Sequence, residues 1–225
     1  MGVEVAASSS RDEVLRRIRA AIADAPAVDA TAIRGEWDAL PRNYKRTAAL
    51  DREAILEMLE DRLRDYDANV VRAKAGEVSA EIARILAERG KRRLVVPMGL
   101  AEALGESLPA GVEFVVDKGL TIEELDSFEG VVTASTVAIA ETGTIVLQNV
   151  PGQGRRAPTL IPDYHLCVVR AGDVVETVPE AMARLQAGAS LATTFVSGPS
   201  ATADIEMTRI KGVHGPRFLD VILST

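Results

Sequence analysis

From Asn69 onward the chain alternates short, wholly apolar runs with amphipathic stretches, and this alternation limits the possible folds more than any other feature. Leu94-Val95-Val96 and Leu166-Cys167-Val168-Val169 contain no residue that gains from facing water. Strands of that kind are buried on both faces, as in a parallel sheet covered by helices. The intervening segments supply the cover. Ser79–Glu88 places Ile82, Ile85 and Leu86 on one helical face, with Gly90 positioned to end the helix. Thr121-Ile-Glu-Glu124 has the spacing of a capping box. Pro179 opens another helix, with Met182 and Leu185 inward and Gly188 at its end. Strands are expected at Val70-Val71, 93–97, 112–116, 130–135, 164–170, 191–197 and 218–223. Strand–helix alternation implies βαβ units, and therefore an α/β fold with a mostly parallel sheet and flanking helices.

One stretch departs from that pattern. Val137-Ala-Ile139 and Thr144-Ile-Val-Leu147 are β-prone runs joined by Glu141-Thr142-Gly143, which reads as a β-hairpin with Gly143 in the left-handed region. Upstream, residues 1–50 read as a helical N-terminal extension followed by a connection. Ser10-Arg-Asp-Glu13 is spaced as a capping box, and Val14, Leu15, Ile18 and Ile22 share one face of a helix ending near Ala23. Asp24–Leu50 lacks periodicity and is expected to be extended, with Trp37 and Leu40-Pro-Arg-Asn-Tyr44 as packing anchors. Asp51 opens a helix through about Tyr66, so the α/β domain is expected over 51–225.

Composition removes several classes of function. A net charge of −7 opposes binding to a phosphate backbone, and 4% aromatic content leaves little for stacking bases, so no nucleic-acid partner is expected. No apolar run approaches the ~20 residues of a membrane span. Met1–Ser10 lacks a basic region followed by an apolar one, so the cytoplasm is the expected location. Cys167 is the only cysteine, and His165 and His214 are the only histidines. One thiolate cannot hold an iron–sulfur cluster, and a His- and Cys-rich metal site is not expected.

Two loops carry the chemistry. In the first, Gly152-Gln-Gly-Arg155-Arg156 sets backbone N–H groups beside two guanidinium groups, a combination suited to an anion. The turn before it presents Glu141, Thr142 and Thr144 at one end of the hairpin. In the second, Ser197-Gly198-Pro-Ser200-Ala-Thr202 follows a strand and is expected to enter a helix capped by Ser200 or Thr202. Such a helix start, beyond the carboxyl end of a strand, suits phosphate or carboxylate. Asp204 and Glu206 would begin that helix, as solvated acidic residues or as an acid–base or cation-binding pair. His214, between glycines, is the better site candidate; His165, in an apolar strand, reads as structural, and Cys167 as inert and buried. Neither loop completes a Walker or dinucleotide-binding motif.

Val137-Ala-Ile-Ala-Glu-Thr-Gly-Thr-Ile145, Pro151-Gly-Gln-Gly-Arg-Arg156, Leu160-Ile-Pro-Asp-Tyr-His165 and Ser197–Glu206 with Val213-His-Gly-Pro216 together resemble the lactate utilization protein C family. The resemblance covers most of the chain. It implies that 51–225 form an α/β LUD-type domain, similar to the sugar-isomerase and coenzyme A-transferase fold. It also implies a role in oxidising L-lactate to pyruvate beside iron–sulfur partner proteins, with no cofactor in this chain. The glutamate of Glu141-Thr-Gly143 is similar to the nucleophile of coenzyme A-transferases, which makes Glu141 the catalytic candidate. The alternatives are a stand-alone isomerase- or transferase-like enzyme acting on a phosphorylated or coenzyme A-linked substrate, and a regulatory module sensing a carboxylate.

Overall fold

The computed structural model describes residues 10–23, 29–202, 210–212 and 214–225. The chain forms two compact units, Met1–Tyr44 and Lys45–Thr225.

The first unit holds α1 (Ser10–Ile22) and α2 (Ala30–Ala39), neither of which has a buried residue. Ser10 is itself the first helical residue, and Glu13 pairs with Arg16 and Arg17 instead of closing a capping box. The expected extended connection is corrected at α2. Asp29 caps that helix by accepting from the N–H groups of Thr31 and Ala32, so a polar cap nucleates it without an apolar stripe. Trp37 is not a buried anchor: it is 59% exposed, with the Arg42 guanidinium 5.2 Å from its ring centre.

The second unit opens with α3 (Arg52–Asp65), capped by Asp51. Then follow β1 (Asn69–Ala73), α4 (Val78–Glu88), β2 (Arg93–Val96), α5 (Leu100–Leu104), β3 (Glu113–Val116), α6 (Ile122–Asp126) and β4 (Gly130–Ala134). The chain continues through β5 (Val137–Ile139), β6 (Thr144–Gln148), β7 (Tyr164–Arg170), β8 (Val174–Val175), α7 (Val178–Leu185) and β9 (Thr193–Val196). It closes with β10 (Ala201–Thr202), β11 (Ile210–Lys211) and β12 (Phe218–Ser224). The main sheet has six parallel strands in the order β1-β12-β7-β4-β2-β3. The capping boxes of α6 and α7 are both formed.

The β5–β6 hairpin is not an appendage of that sheet. It is the centre of a second sheet, β8-β5-β6-β9, in which every residue of β5 and β6 is buried. Alternation along the strands explains the layering. Tyr164, Leu166 and Val168 pack with Ile82, Ile85 and Leu86 of α4 on one face of the main sheet. Cys167, Val169, Leu219 and Val221 pack on the other face against Ala138, Ile145 and Leu147 of the second sheet and against Leu59 and Leu63 of α3. Val137, Ile139 and Val146 turn outward onto α7, which buries Ala181 and Leu185; Met182, expected inward, is half exposed. Each fully buried aliphatic side chain contributes about 1.5–3 kcal/mol of transfer free energy. The helix expected after Ser200 is not formed at its start, where β10 pairs antiparallel with β11.

Candidate functional site

A cavity of about 240 Å³ lies where the second residues of β7 and β12, His165 and Leu219, meet the end of β9. Arg156, Thr159, Ser197, Gly198, Ser200 and His214 also line it. The cavity therefore borders the amino ends of two parallel strands, not the carboxyl ends that an open α/β sheet leads one to expect. The reason is that the Ser197 loop issues from the second sheet, not the main one.

Local sequence builds each wall. Arg156 precedes a short 3-10 turn, Ala157–Thr159, and its Nη1 donates to the Thr159 carbonyl at 2.7 Å and to Thr159 Oγ1 at 2.9 Å. Among the described residues no carboxylate pairs with it. Burial lowers its basicity, yet a guanidinium remains charged, so a fixed cation with no carboxylate partner among the described residues borders the cavity. Gly198, at φ +78°, lies so close against Tyr66 that a Cβ would collide with the Tyr66 Cβ, which lays the loop on the end of α3. Ser197 Oγ and Thr144 Oγ1 are 2.7 Å apart, and Thr144 Oγ1 lies 2.7 Å from Thr142 Oγ1. Ser200 joins the two loops: its N–H donates to the Pro216 carbonyl at 2.8 Å, and its Oγ accepts from the His214 N–H at 3.0 Å.

His165, read from the sequence as a structural histidine, is buried as that reading expects and also lines the cavity. Its ring is buried, its Nε2 lies 2.8 Å from Thr133 Oγ1, and it reaches the cavity. Burial, with the Arg156 charge adding to it, pushes its pKa down to about 3, so the imidazole is neutral at physiological pH. Burial also raises the neighbouring Cys167 thiol to about 12. A signal was present, since β-alternation puts His165 on the same face as Cys167, but only the pairing of β7 with β4 brings Thr133 beneath it.

Several expected site residues are employed elsewhere. Arg155 is bound bidentately to Asp117, at 2.8 and 2.9 Å, and to the Leu120 carbonyl. The N–H groups of Gly152 and Gly154 are taken by the Met98 and Val150 carbonyls, so they form no anion nest. Gly152 is needed for close packing on Ala103, and Gly154 for packing on Pro97. Glu141 and Thr142 line a separate cavity with Arg62, Asp65 and Tyr66. There Lys45 bridges Glu141, at 3.3 Å, and the buried Glu176. The structure does not bring Glu141 to Arg156. Gly143 has the expected positive φ, +57°, and its Cα faces Arg62. Thr202 enters β10 through its backbone; Asp204 and Glu206 lie outside the described residues. Among the described residues, no three His, Cys, Asp or Glu side chains are grouped as a metal site.

Fold and site together define a two-sheet α/β protein with a small, cation-bordered cavity between the sheets. The model of the LUD domain matches residues 1–224, and the chain belongs to the LUD domain family. It is 44% identical over 191 residues to "Lactate utilization protein C" of Deinococcus radiodurans, covering 83% of this chain and 86% of that protein. The Geobacillus kaustophilus protein of the same name is 26% identical, with 96% of each chain covered. Among solved structures, the crystal structure of a DUF162 family protein from Deinococcus radiodurans aligns with a TM-score of 0.67 at 37% identity, covering 78% of this chain and 99% of that one.

Proposed function

We propose that this chain is a component of a cytoplasmic L-lactate utilization system and binds a small carboxylate in the Arg156 cavity. Two electrons and two protons leave lactate when pyruvate forms, and those electrons need a carrier. The carrier proposed is the iron–sulfur clusters of partner proteins. The single cysteine here cannot supply four thiolates, and this chain is assigned no cofactor of its own. The relatives bear the name lactate utilization protein C, which supports the pathway. The observation that carries the ligand class is Arg156. A guanidinium whose Nη1 is fixed by Thr159, with no carboxylate partner among the described residues, offers its remaining N–H donors to a planar anion. The cavity volume, about 240 Å³, is below the ~300–1,000 Å³ of sites for drug-sized ligands and suits a molecule of few atoms. No helix among the described residues is long and apolar enough to cross a membrane.

The test is an anaerobic assay with an artificial electron acceptor, run with this chain alone, with its iron–sulfur partners, and with an Arg156→Gln variant. The expected result is lactate turnover only in the mixture, and its loss in the variant. Turnover by the lone, metal-free and flavin-free chain, or full activity of Arg156→Gln in the mixture, refutes the reading.

A further inference from the structure

A second cleft, of about 530 Å³, lies at the carboxyl ends of the main-sheet strands, the end that the Arg156 cavity does not use. Its walls are Pro97 and Met98, which follow β2, Asp117 and Lys118, which follow β3, and the loop from Asn149 to Arg155. The chain leaves β2 for β3 and leaves β4, by way of the second sheet, for β7. The connections of these two adjacent strands therefore run to opposite sides of the sheet. An open α/β sheet binds ligands in the crevice at such a switch point. The loop is fastened across it: the Gly152 N–H donates to the Met98 carbonyl, and the Gly152 carbonyl accepts from the Ala134 N–H, each at 2.8 Å. Gly99 permits that approach, since a Cβ there would lie 2.9 Å from the Pro151 Cβ.

The cleft offers donors and apolar surface. The Asp117 side chain is 5% exposed and fully engaged: Oδ1 accepts from the Gly119 and Leu120 N–H groups, and Oδ2 accepts from Arg155 Nε. The Arg155 side chain is 39% exposed, and its Nη1 has no partner among the described residues. Lys118 is exposed on the same cleft and pairs with no carboxylate among the described residues. We infer that this cleft is a second ligand site, for an organic phosphate: Lys118 and Arg155 hold the phosphate, and Pro97, Met98, Val150 and Pro151 cover its apolar body. Lysine acts as a compact point charge and arginine as a fixed fork, and a tetrahedral head with three terminal oxygens can accept from both at once. A carboxylate, with two oxygens in one plane, matches a single guanidinium. The volume falls within the ~300–1,000 Å³ of sites for drug-sized ligands. The inference does not depend on what the Arg156 cavity binds.

The test is titration calorimetry of the full chain with phenyl phosphate, inorganic phosphate and benzoate. Phenyl phosphate should bind saturably and about tenfold or more tighter than inorganic phosphate, which lacks the apolar body, or benzoate, which lacks the third oxygen. Lys118→Gln should weaken phenyl phosphate about tenfold, and Met98→Ser should narrow its advantage over inorganic phosphate. Both side chains are exposed, so both variants should melt with wild type. Arg156→Gln should bind phenyl phosphate as wild type does, which separates this cleft from the Arg156 cavity. The inference is overturned by the absence of saturable phenyl phosphate binding, or by inorganic phosphate or benzoate binding as tightly. Wild-type affinity in Lys118→Gln, or loss of binding in Arg156→Gln, overturns it equally.

Discussion

Replacing Gly143 by alanine tests the junction between the hairpin and α3, and its cost can be worked from the coordinates. Gly143 sits at φ +57°, and its N–H closes the turn onto the Ala140 carbonyl at 3.2 Å. An L-residue in the left-handed region costs roughly 1–2 kcal/mol. The added Cβ would also lie 2.7 Å from Arg62 Cβ and 3.0 Å from its carbonyl carbon. A flexible side-chain tip would yield, but these atoms belong to the body of α3, which is held by the fully buried Leu59 and Leu63. The helix or the turn must therefore shift, an overpacking cost of about 1–3 kcal/mol. Together the two costs reach about 2–5 kcal/mol, against a total stability of about 5–15 kcal/mol. Guanidinium denaturation should show a lower midpoint at unchanged slope, and heating a melting point lower by roughly 5–15 °C. Gly172→Ala is the control: its Cβ would meet nothing within 4 Å, so it should be neutral or slightly stabilising. A Gly143→Ala midpoint equal to wild type refutes the argument.

Acid should unfold the protein in two windows. His165, held at about 3 against an ordinary 6.5, stays neutral when folded, so stability is full above pH 6.5 and falls by about 1.4 kcal/mol per unit as pH drops toward 3. An imidazole seen by NMR to protonate near pH 6.5 refutes this. Glu176 is lowered from 4.5 to about 2, first by Lys45 and then by the Leu50 and Ala49 N–H groups. Its contribution is present above 4.5 and lost as pH falls toward 2, so Glu176→Gln should flatten the decline below pH 4.5 in urea titrations. Arg155→Ala should lower stability by about 1–3 kcal/mol by stranding the nearly buried Asp117, without changing carboxylate affinity. Altered calorimetric binding in that variant would put Arg155 in the site. Arg89→Met leaves Asp220, fully buried, with the Tyr164 hydroxyl as its remaining side-chain partner among the described residues, and should cost about 3–5 kcal/mol by denaturant midpoint. An unchanged midpoint refutes the buried-pair argument.

The main sheet could be read from the sequence because its physical cause is local. A run such as Leu94-Val95-Val96 has no polar side to expose, and its flanking capping signals are equally local. The second sheet could not be read in the same way. Val137–Ile139 and Thr144–Gln148 are apolar enough for either sheet, and what separates them from the main one is their burial between the β7–β12 face and α7. The same limit applied to the site. Arg155 and Arg156 are adjacent and chemically identical, and the choice between them is made by Asp117, whose carboxylate takes one and leaves the other to the cavity. His214 stood out because its glycine neighbours pack little, and the structure does bring it to the cavity. His165 sits in an apolar strand, an ordinary place for a structural histidine, and its contact with the cavity had no local signal. What partners its ring is the register of β4 against β7, which pairs Thr133 with Cys167 and sets a hydroxyl under the ring. A register between strands separated by a whole hairpin has no local sequence signature, yet it decides that a hydroxyl lies 2.8 Å from the buried imidazole. The chemistry of this cavity is therefore written in strand pairing more than in any motif that lines it.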